Sequence, residues 1–215
     1  MTSLNLWKQQ LGAVPDEVWD RTELETLVLA DNGLTEVSER IGGLQRLRML
    51  DLGHNALAAL PDAIGELAGL TDFLYLHDNR LTALPTSIGR LVRLRYLNIS
   101  DNAFAALPKV VTELTGLVEL RASGNRLTML PAAIGRLTGL RELHLRDNAL
   151  TALPASIGAL RELRQLDLRG NPLASLPEAL ADLPRLDKLD LRWTPALEPP
   201  PWLAELSARG VLVYR

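Results

Sequence analysis

The fold can be predicted from one stretch of the sequence, residues 140–160. It reads Leu-Arg-Glu-Leu-His-Leu-Arg-Asp-Asn-Ala-Leu-Thr-Ala-Leu-Pro-Ala-Ser-Ile-Gly-Ala-Leu. Leu143 and Leu145 alternate with polar residues, which is the period of a half-buried strand. Leu153 and Pro154 then begin a new segment, because proline disfavours helix in the residue before it and fits the first turn of a helix. The stretch therefore predicts a strand that leads through a turn into a different element.

The second half of the stretch predicts a short helical segment. Ile157 and Leu160 lie three residues apart, on one face of a helical turn. We expect Gly158 to supply backbone freedom near the end of that turn. A unit of this kind cannot bury its leucine face alone, so neighbouring units must stack.

The unit recurs along the chain, and one polar residue at its tight turn recurs at intervals of 23 or 24 residues. These positions are Gln9, Asn32, Asn55, Asn79, Asn102, Asn125, Asn148, Asn171 and Thr194. A chain written as one repeated unit builds a solenoid. An asparagine amide both donates and accepts hydrogen bonds, so it satisfies backbone groups buried between coils. We therefore predict a structural role for all seven asparagines, which we call the asparagine ladder.

The repeat predicts an α/β solenoid. Successive strands form a parallel sheet, and the wider helical segments curve it so that the sheet lies on the concave face and the helical segments on the convex face. The repeat register is unbroken, so we predict a single domain over residues 1–215. Residues 1–23 form an N-terminal cap or partial repeat, residues 24–194 form eight repeats, and residues 195–215 form a capping helix and an edge strand.

Composition narrows the class of protein. Cysteine is absent, which excludes disulfides and thiolate metal sites. The net charge of −3 argues against nucleic-acid binding, and no uncharged run approaches the ~20 residues of a membrane span. The first residues, Met1 to Leu4, lack the basic and apolar regions of a signal peptide. We therefore expect a cytoplasmic protein that contacts neither nucleic acid nor membrane.

The recurring pattern Leu-x-x-Leu-x-Leu-x-x-Asn-x-Leu-x-x-Leu-Pro-x-x-Ile-Gly-x-Leu resembles leucine-rich repeat proteins. Its Leu-Pro-x-x-Ile-Gly segment is most similar to the Ras-group intracellular class and its bacterial relatives. The resemblance covers residues 4–214 and implies a curved solenoid whose inner sheet binds another protein. In bacterial members such an array also occurs as an effector or joined to an enzyme domain, of which this chain shows no residues.

Three departures from the repeat carry expectations. The unit that begins at Leu70 is one residue longer than its neighbours, which predicts a bulge before its strand that lets Phe73 point outward, or else a tolerated insertion. At the N-terminus we expect Trp7, Trp19 and Arg21 to shield the first layer. At the C-terminus the last strand exposes an edge. This edge pairs two chains weakly, or joins a longer chain, or is protected by Tyr214 and Arg215.

Strand residues between the buried leucines face the concave side, and there they form two patches. The first is amphipathic and aromatic, of the kind enriched in interface hot spots. It comprises Met49, Phe73, Tyr75, His77 and Tyr96. The second carries arginines that bind carboxylates of a partner or form a solvated lattice with neighbouring acids. It comprises Arg121, His144, Arg146, Asp167, Arg169, Asp190 and Arg192.

The three histidines raise the question of a metal site or of acid–base chemistry. His54 and His77 are one coil apart and close to Asp78, so a metal-dependent hydrolase is an alternative hypothesis. Asp before the turn Asn recurs along the chain and suits the turn itself, and an open curved face excludes water poorly. We therefore expect no cofactor, no metal and no enzymatic activity.

The favoured function is a non-catalytic module that binds a protein partner of unknown identity through its concave sheet. The alternatives are a targeting array for an enzyme on a longer or partner chain, and a bacterial effector that acts on host proteins. We expect a monomer or a weak edge-to-edge homodimer.

Overall fold

The computed structural model describes residues 2–215; Met1, in the predicted cap, lies outside the described residues. Each repeat contributes one strand of three residues, and the last strand follows the C-terminal helix. The strands are β1 (Ser3–Asn5), β2 (Thr26–Val28), β3 (Met49–Asp51), β4 (Phe73–Tyr75), β5 (Tyr96–Asn98), β6 (Glu119–Arg121), β7 (Glu142–His144), β8 (Gln165–Asp167), β9 (Lys188–Asp190) and β10 (Leu212–Tyr214).

The strands form one parallel sheet in the order in which they occur in the chain, from β1 to β10. Each strand pairs with the next at the repeat offset, so that Leu27, Leu50 and Leu74 are successive Cα partners. These central leucines are fully buried. The structure confirms the predicted α/β solenoid, with a curved, unclosed sheet.

The segments that return the chain to the next strand are 3₁₀ helices. They span Asp16–Asp20, Glu39–Gly43, Asp62–Glu66, Thr86–Arg90, Lys109–Glu113, Ala132–Arg136, Ala155–Ala159 and Glu178–Leu180. A proline precedes all of them except the second, where the Ser38 hydroxyl accepts a hydrogen bond from the Arg40 amide at 3.2 Å. The α-helix α1 (Trp202–Ala208) precedes the last strand.

The asparagine ladder binds the coils together through the backbone. The side-chain amide of Asn125 donates to the carbonyls of Ile99, Ala122 and Ser123 at 3.0–3.3 Å. Its carbonyl oxygen accepts from the amide of Phe104 at 3.2 Å. These are the bonds that the structural role requires, and they link the coil of Asn125 to the preceding coil.

The residue before each ladder asparagine adopts a left-handed backbone conformation. Asp31, His54, Asp78, Asp101 and Asp147 have φ between 51° and 57°. Asp tolerates this region better than most residues, which accounts for its recurrence there.

The role expected for Gly158 is wrong. Its φ is not positive, and a Cβ at that position would lie 2.7 Å from the Cβ of Ala179 in the next coil. At Gly65 a Cβ would lie 2.2 Å from the Ser87 backbone. Glycine is needed here because adjacent 3₁₀ segments stack closely, not because the turn needs backbone freedom.

The extra residue in the third full unit lies at Thr71–Asp72. Elsewhere one carbonyl accepts two amides from the following strand, as Arg95 does from Val118 and Glu119. Thr71 and Asp72 instead accept one amide each, from Arg95 and Tyr96. The insertion is thus absorbed immediately before β4, which remains in register, and the Phe73 side chain is 42% exposed.

The N-terminal residues correct part of the expected cap. Trp19 is buried and belongs to the hydrophobic core. Trp7 is 55% exposed, and Arg21 forms a salt bridge with Glu23 at 3.3 Å. Trp7 cannot shield the first layer because it follows β1 on the outward side of the sheet, so Trp19 alone of the three covers apolar core.

Candidate functional site

The concave surface is built from the first and third residues of each strand, because the middle residue is buried. The strand register aligns the first residues into one row, in which Phe73 is the Cα partner of both Met49 and Tyr96. The third residues form a second row that includes Tyr75. The two predicted patches therefore fall on one continuous surface.

The aromatic cluster contains four contacting rings around β4. It comprises Phe73, Tyr75, His77 and Tyr96, together with Met49 in the adjacent strand. The ring centroids of Phe73 and Tyr75 are 5.9 Å apart in a stacked arrangement. Tyr96 lies 5.4 Å from Phe73 and 4.9 Å from Tyr75. Because each ring rests on another, the cluster is already ordered before any partner arrives, which lowers the entropic cost of binding.

Burial raises the pKa of both phenols of the cluster. Desolvation raises the pKa of Tyr96 to about 12, with smaller effects of Arg121, which lowers it, and Glu119, which raises it. Burial, followed by Asp51 and Glu119, also raises the pKa of Tyr75. The hydroxyls remain donors and acceptors at the rim of an apolar surface.

A histidine pair borders the aromatic cluster. Nε2 of His54 lies 3.1 Å from Nε2 of His77, and Nδ1 of His54 lies 2.7 Å from a carboxylate oxygen of Asp78. Burial and the neighbouring His54 lower the pKa of His77, against opposing effects of nearby acids. The pair is therefore held as a hydrogen-bonded unit that favours a neutral His77.

The charged lattice (Arg121, His144, Arg146, Asp167, Arg169, Asp190 and Arg192) is satisfied largely within the chain. Arg169 holds Asp167 through two nitrogens, at 2.9 and 2.5 Å. Arg192 holds Asp190 in the same way, at 2.9 and 2.8 Å. In each pair the Asp is the last residue of its strand and the Arg follows two residues later, so the guanidinium reaches back along the chain. The structure thus favours the lattice interpretation of this patch.

Asp190 is the most deeply placed member of the charged lattice, with 1% of its side chain exposed. Burial alone would raise its pKa. The hydrogen bonds from Arg192 and the charges of Arg169 and Arg192 outweigh burial and lower the pKa below its usual value. The carboxylate is therefore a structural anchor of the last coils.

Within residues 2–215, one group of His, Asp or Glu side chains brings three potential metal-ligating atoms within 4.8 Å of one another. It consists of Glu119, Glu142 and His144. Nε2 of His144 lies 3.2 Å from Glu142, and Glu119 is already bound by Arg121 at 2.6 Å. A cation here would have to displace that arginine. His54, His77 and Asp78 do not form such a group in this part of the chain.

An open cleft of about 380 Å³ lies beside the aromatic cluster, at the point where β4 and β5 begin. Phe73 and Tyr96 line it together with residues that the sequence analysis did not single out. These are Arg48, Asp72, Arg95, Val118 and Glu119. All but Glu119 precede a strand, and the signal that could have found them is the insertion at Thr71–Asp72.

The predicted site residues thus separate into two groups. The structure brings Phe73, Tyr75, Tyr96 and His77 into ring contact, with Met49 in the adjacent strand. Arg121 joins this cluster, since its guanidinium lies 5.9 Å from the Tyr96 ring. Arg146 lies apart from the other pairs and forms a salt bridge with Asp147 at 3.0 Å.

Two leucine-rich repeat families match the sequence. A leucine-rich repeat family matches residues 1–57, 22–74 and 138–195, and a leucine-rich repeat region family matches residues 72–148. Together the matches extend from residue 1 to residue 195. Among residues 2–215 there is no helix with the length and apolar character needed to cross a membrane.

Solved structures show the same fold. A leucine-rich repeat protein of Leptospira interrogans is 29% identical over 94% of this chain and 63% of its own, with a TM-score of 0.78. A plant peptide hormone receptor, solved in complex with RGF2, is 36% identical over 89% of this chain and 32% of its own, with a TM-score of 0.78. An internalin of Listeria monocytogenes shares the fold at 22% identity, over all of this chain and 60% of its own, with a TM-score of 0.83. The chain spans less than two thirds of each of these proteins.

Proposed function

The chain belongs to the leucine-rich repeat family, and from this premise we propose that it is a non-catalytic module that binds another protein through its concave sheet. The observation that carries the proposal is the aromatic cluster. Exposed strand positions do not require large rings for packing, yet Phe73, Tyr75 and Tyr96 occupy three of them side by side. Aromatic side chains in such clusters supply much of the binding energy of protein interfaces.

The charged lattice has a supporting role in this proposal. Arg169 and Arg192 already bind Asp167 and Asp190, so a partner that used these arginines would have to compete with bonds inside the chain. We therefore assign the main contact area to the aromatic cluster and a polar border to Arg121, His144 and Arg146.

We infer the intracellular subclass from the Leu-Pro-x-x-Ile-Gly segments, and from it a cytoplasmic location. We keep the division into residues 1–23, 24–194 and 195–215, and a monomer or weak edge-to-edge homodimer. The similar plant receptor, solved in complex with RGF2, supports protein or peptide binding as the shared use of the fold.

A second candidate function is compatible with the length comparison. The chain spans 63% of the Leptospira protein and 32% of the plant receptor. An array of this size is thus compatible with a recognition part that directs an enzyme on a longer or partner chain. In that case the concave surface keeps the same binding role.

The test is affinity capture from lysate of the source organism, analysed by mass spectrometry. A variant with Tyr75→Ala and Tyr96→Ala should lose the captured protein. A control with Met129→Ala, which removes a side chain that is 63% exposed outside the strands, should retain it. Circular dichroism should show all three proteins folded. A partner that the double variant retains would contradict the concave site.

A further inference from the structure

The cleft beside the aromatic cluster combines an apolar floor with a charged rim. Phe73, Tyr96 and Val118 supply the apolar surface, and Arg95 stands beside them before β5. The volume of about 380 Å³ is at the lower end of pockets that hold small ligands, so it suits a side chain rather than a folded element.

The electrostatics of the rim are one-sided once the internal pairs are formed. Asp72 is bound by Arg48 at 3.1 Å, and Glu119 is bound by Arg121 at 2.6 Å. The Arg95 guanidinium is exposed and makes no salt bridge or side-chain hydrogen bond with the described residues. One positive charge is therefore available at the rim of an apolar cleft, and both acids nearby are already neutralised.

The insertion explains why the cleft is at this place. In the other coils a single residue separates the strand from the leucine before it, whereas Thr71 and Asp72 both fill this space ahead of β4. The added residue contributes Asp72 to the cleft wall, where Asp72 pairs with Arg48. The insertion, the aromatic cluster and the free guanidinium thus meet at one location.

We propose that this cleft binds an extended segment of the partner protein that carries an apolar side chain next to an Asp or Glu. The apolar side chain enters against Phe73 and Tyr96, and the carboxylate accepts a bidentate hydrogen bond from Arg95. This proposal rests on the proposed function, because it names the partner chemistry of the same surface.

The carboxylate belongs to a side chain within the segment and not to a chain terminus. The sheet continues on both sides of the cleft, with β1–β3 before it and β6–β10 after it. A partner that lies along this surface enters and leaves the cleft, so its backbone runs on in both directions. Tyr75 and Arg121 lie on its path beyond the cleft.

The experiment is selection from a random peptide library in which each peptide is held between two folded domains. Three forms of the protein are used as bait: wild type, Arg95→Glu and Arg141→Glu. Arg141 is the matched control, since it also precedes a strand, is exposed and forms no salt bridge within residues 2–215, but it lies two coils away. Circular dichroism should show that the three baits are equally folded.

We expect the wild type and Arg141→Glu to enrich peptides with Asp or Glu within two residues of an apolar residue. Arg95→Glu should lose these peptides and enrich Lys or Arg instead. The affinity of the best peptide should fall about tenfold in Arg95→Glu, as expected for loss of a charge-assisted hydrogen bond, and stay within about twofold in Arg141→Glu. Phe73→Ala should weaken the same peptide, which reports on the apolar floor.

Other outcomes overturn the proposal in distinguishable ways. Peptides that need Tyr75 but carry no acid, or that bind Arg95→Glu equally well, would refute the cleft and leave the concave binding surface intact. Enrichment that appears only in a second library with free carboxyl termini would assign the carboxylate to a chain end. Failure of every bait to select peptides would also refute the extended segment, while capture of a folded partner from lysate would still test the proposed function by itself.

Discussion

The two halves of the concave face use the same strand positions in opposite ways. In β4 and β5 three of the four outward residues are rings that contact one another, and Phe73 leaves apolar area to solvent. In β8 and β9 the last residue of each strand is an Asp that is bound by the Arg two residues later in the chain. The sequence predicts that both halves are equally exposed. Only in the first half are the outward side chains free of pairs within the chain and available to a partner.

An exposed charge is therefore not necessarily a charge that is free to bind a partner. Arg192 and Arg95 both lie on or beside the concave face, yet Arg192 is occupied by Asp190 and Arg95 by no described residue. Binding through Arg192 would require breaking an internal bond, whereas binding through Arg95 would not. We therefore expect mutations of the buried Asp190 and of its arginine partners to change stability, and mutations in the aromatic cluster to change binding.

Asp190→Ala tests the stability half of this comparison and should have the largest effect. The substitution leaves Arg192 and Arg169 without the buried carboxylate that both contact, at 2.8 and 3.5 Å. We expect the free energy of unfolding to fall by about 2 kcal/mol, below the full value for a buried pair because both arginines reach solvent. Urea unfolding measures this loss, and binding of the partner should be unchanged.

The control for this prediction is Asp187→Ala, three residues earlier. Asp187 is 64% exposed and lies 3.5 Å from Arg164, so its loss should change the free energy of unfolding by less than about 0.5 kcal/mol. Equal losses for the two substitutions would show that burial of Asp190 does not anchor the last coils.

Gly53→Ala probes how the aromatic half is built. A Cβ at Gly53 would lie 2.4 Å from the ring of His77, so the ring must move. We expect a loss of about 1 kcal/mol in the free energy of unfolding, at the low end for overpacking because a side chain can swing aside. The histidine signals in an NMR spectrum should shift at the same time.

Gly43→Ala is the matched control, since no atom lies within 4 Å of a Cβ there and φ is not positive. It should leave both stability and the histidine signals close to wild type. If Gly53→Ala behaved in the same way, the His77 ring would not rest on the glycine.

The pH dependence of stability should also arise in the aromatic half. His77 has a lowered pKa when folded, because of burial and His54, against Asp51, Asp78 and Asp101. Below pH 6.5 His77 binds a proton in the unfolded chain but stays neutral in the folded chain. The free energy of unfolding therefore decreases as the pH falls from 6.5 to the folded pKa. His77→Gln should remove this part of the slope, as urea unfolding at pH 7.5 and 5.5 would show. An unchanged slope would contradict a neutral, half-buried His77.

Much of the fold could be predicted because the same sequence pattern recurs in successive coils. The period places every strand, and the register in the structure follows the same offset between Leu27, Leu50 and Leu74. The reason for Gly158 could not be predicted, since the distance of its Cβ position to Ala179 depends on how closely two coils stack. The local sequence indicates the conformation of each coil, but it does not indicate the distance between neighbouring coils.

The candidate site could be predicted as a surface but not as a set of interactions. Alternation of buried and outward residues is enough to place Tyr75 and Tyr96 on one face. Which acid an arginine selects depends on rotamers, so the pairing of Arg169 with Asp167, two residues earlier in the chain, was not visible in the sequence. The cleft at Arg95 was missed for a similar reason, because charged residues recur before the strands and the sequence does not show which of them pair with an acid.

The smallest predicted effect concerns a solvent-exposed ion pair of the charged lattice, which we compare with a largely buried one. Arg146 pairs with Asp147 at 3.0 Å, but about half of each side chain is exposed, so water and salt screen the pair. Arg146→Ala should change the free energy of unfolding by less than about 0.5 kcal/mol, and the difference from wild type should vanish in 1 M salt. Arg169→Ala should cost more and respond less to salt, because its carboxylate partners are largely buried. If the two substitutions were equal at both salt concentrations, burial would not be what divides this surface, and the arginines of the lattice would be as available to a partner as Arg95.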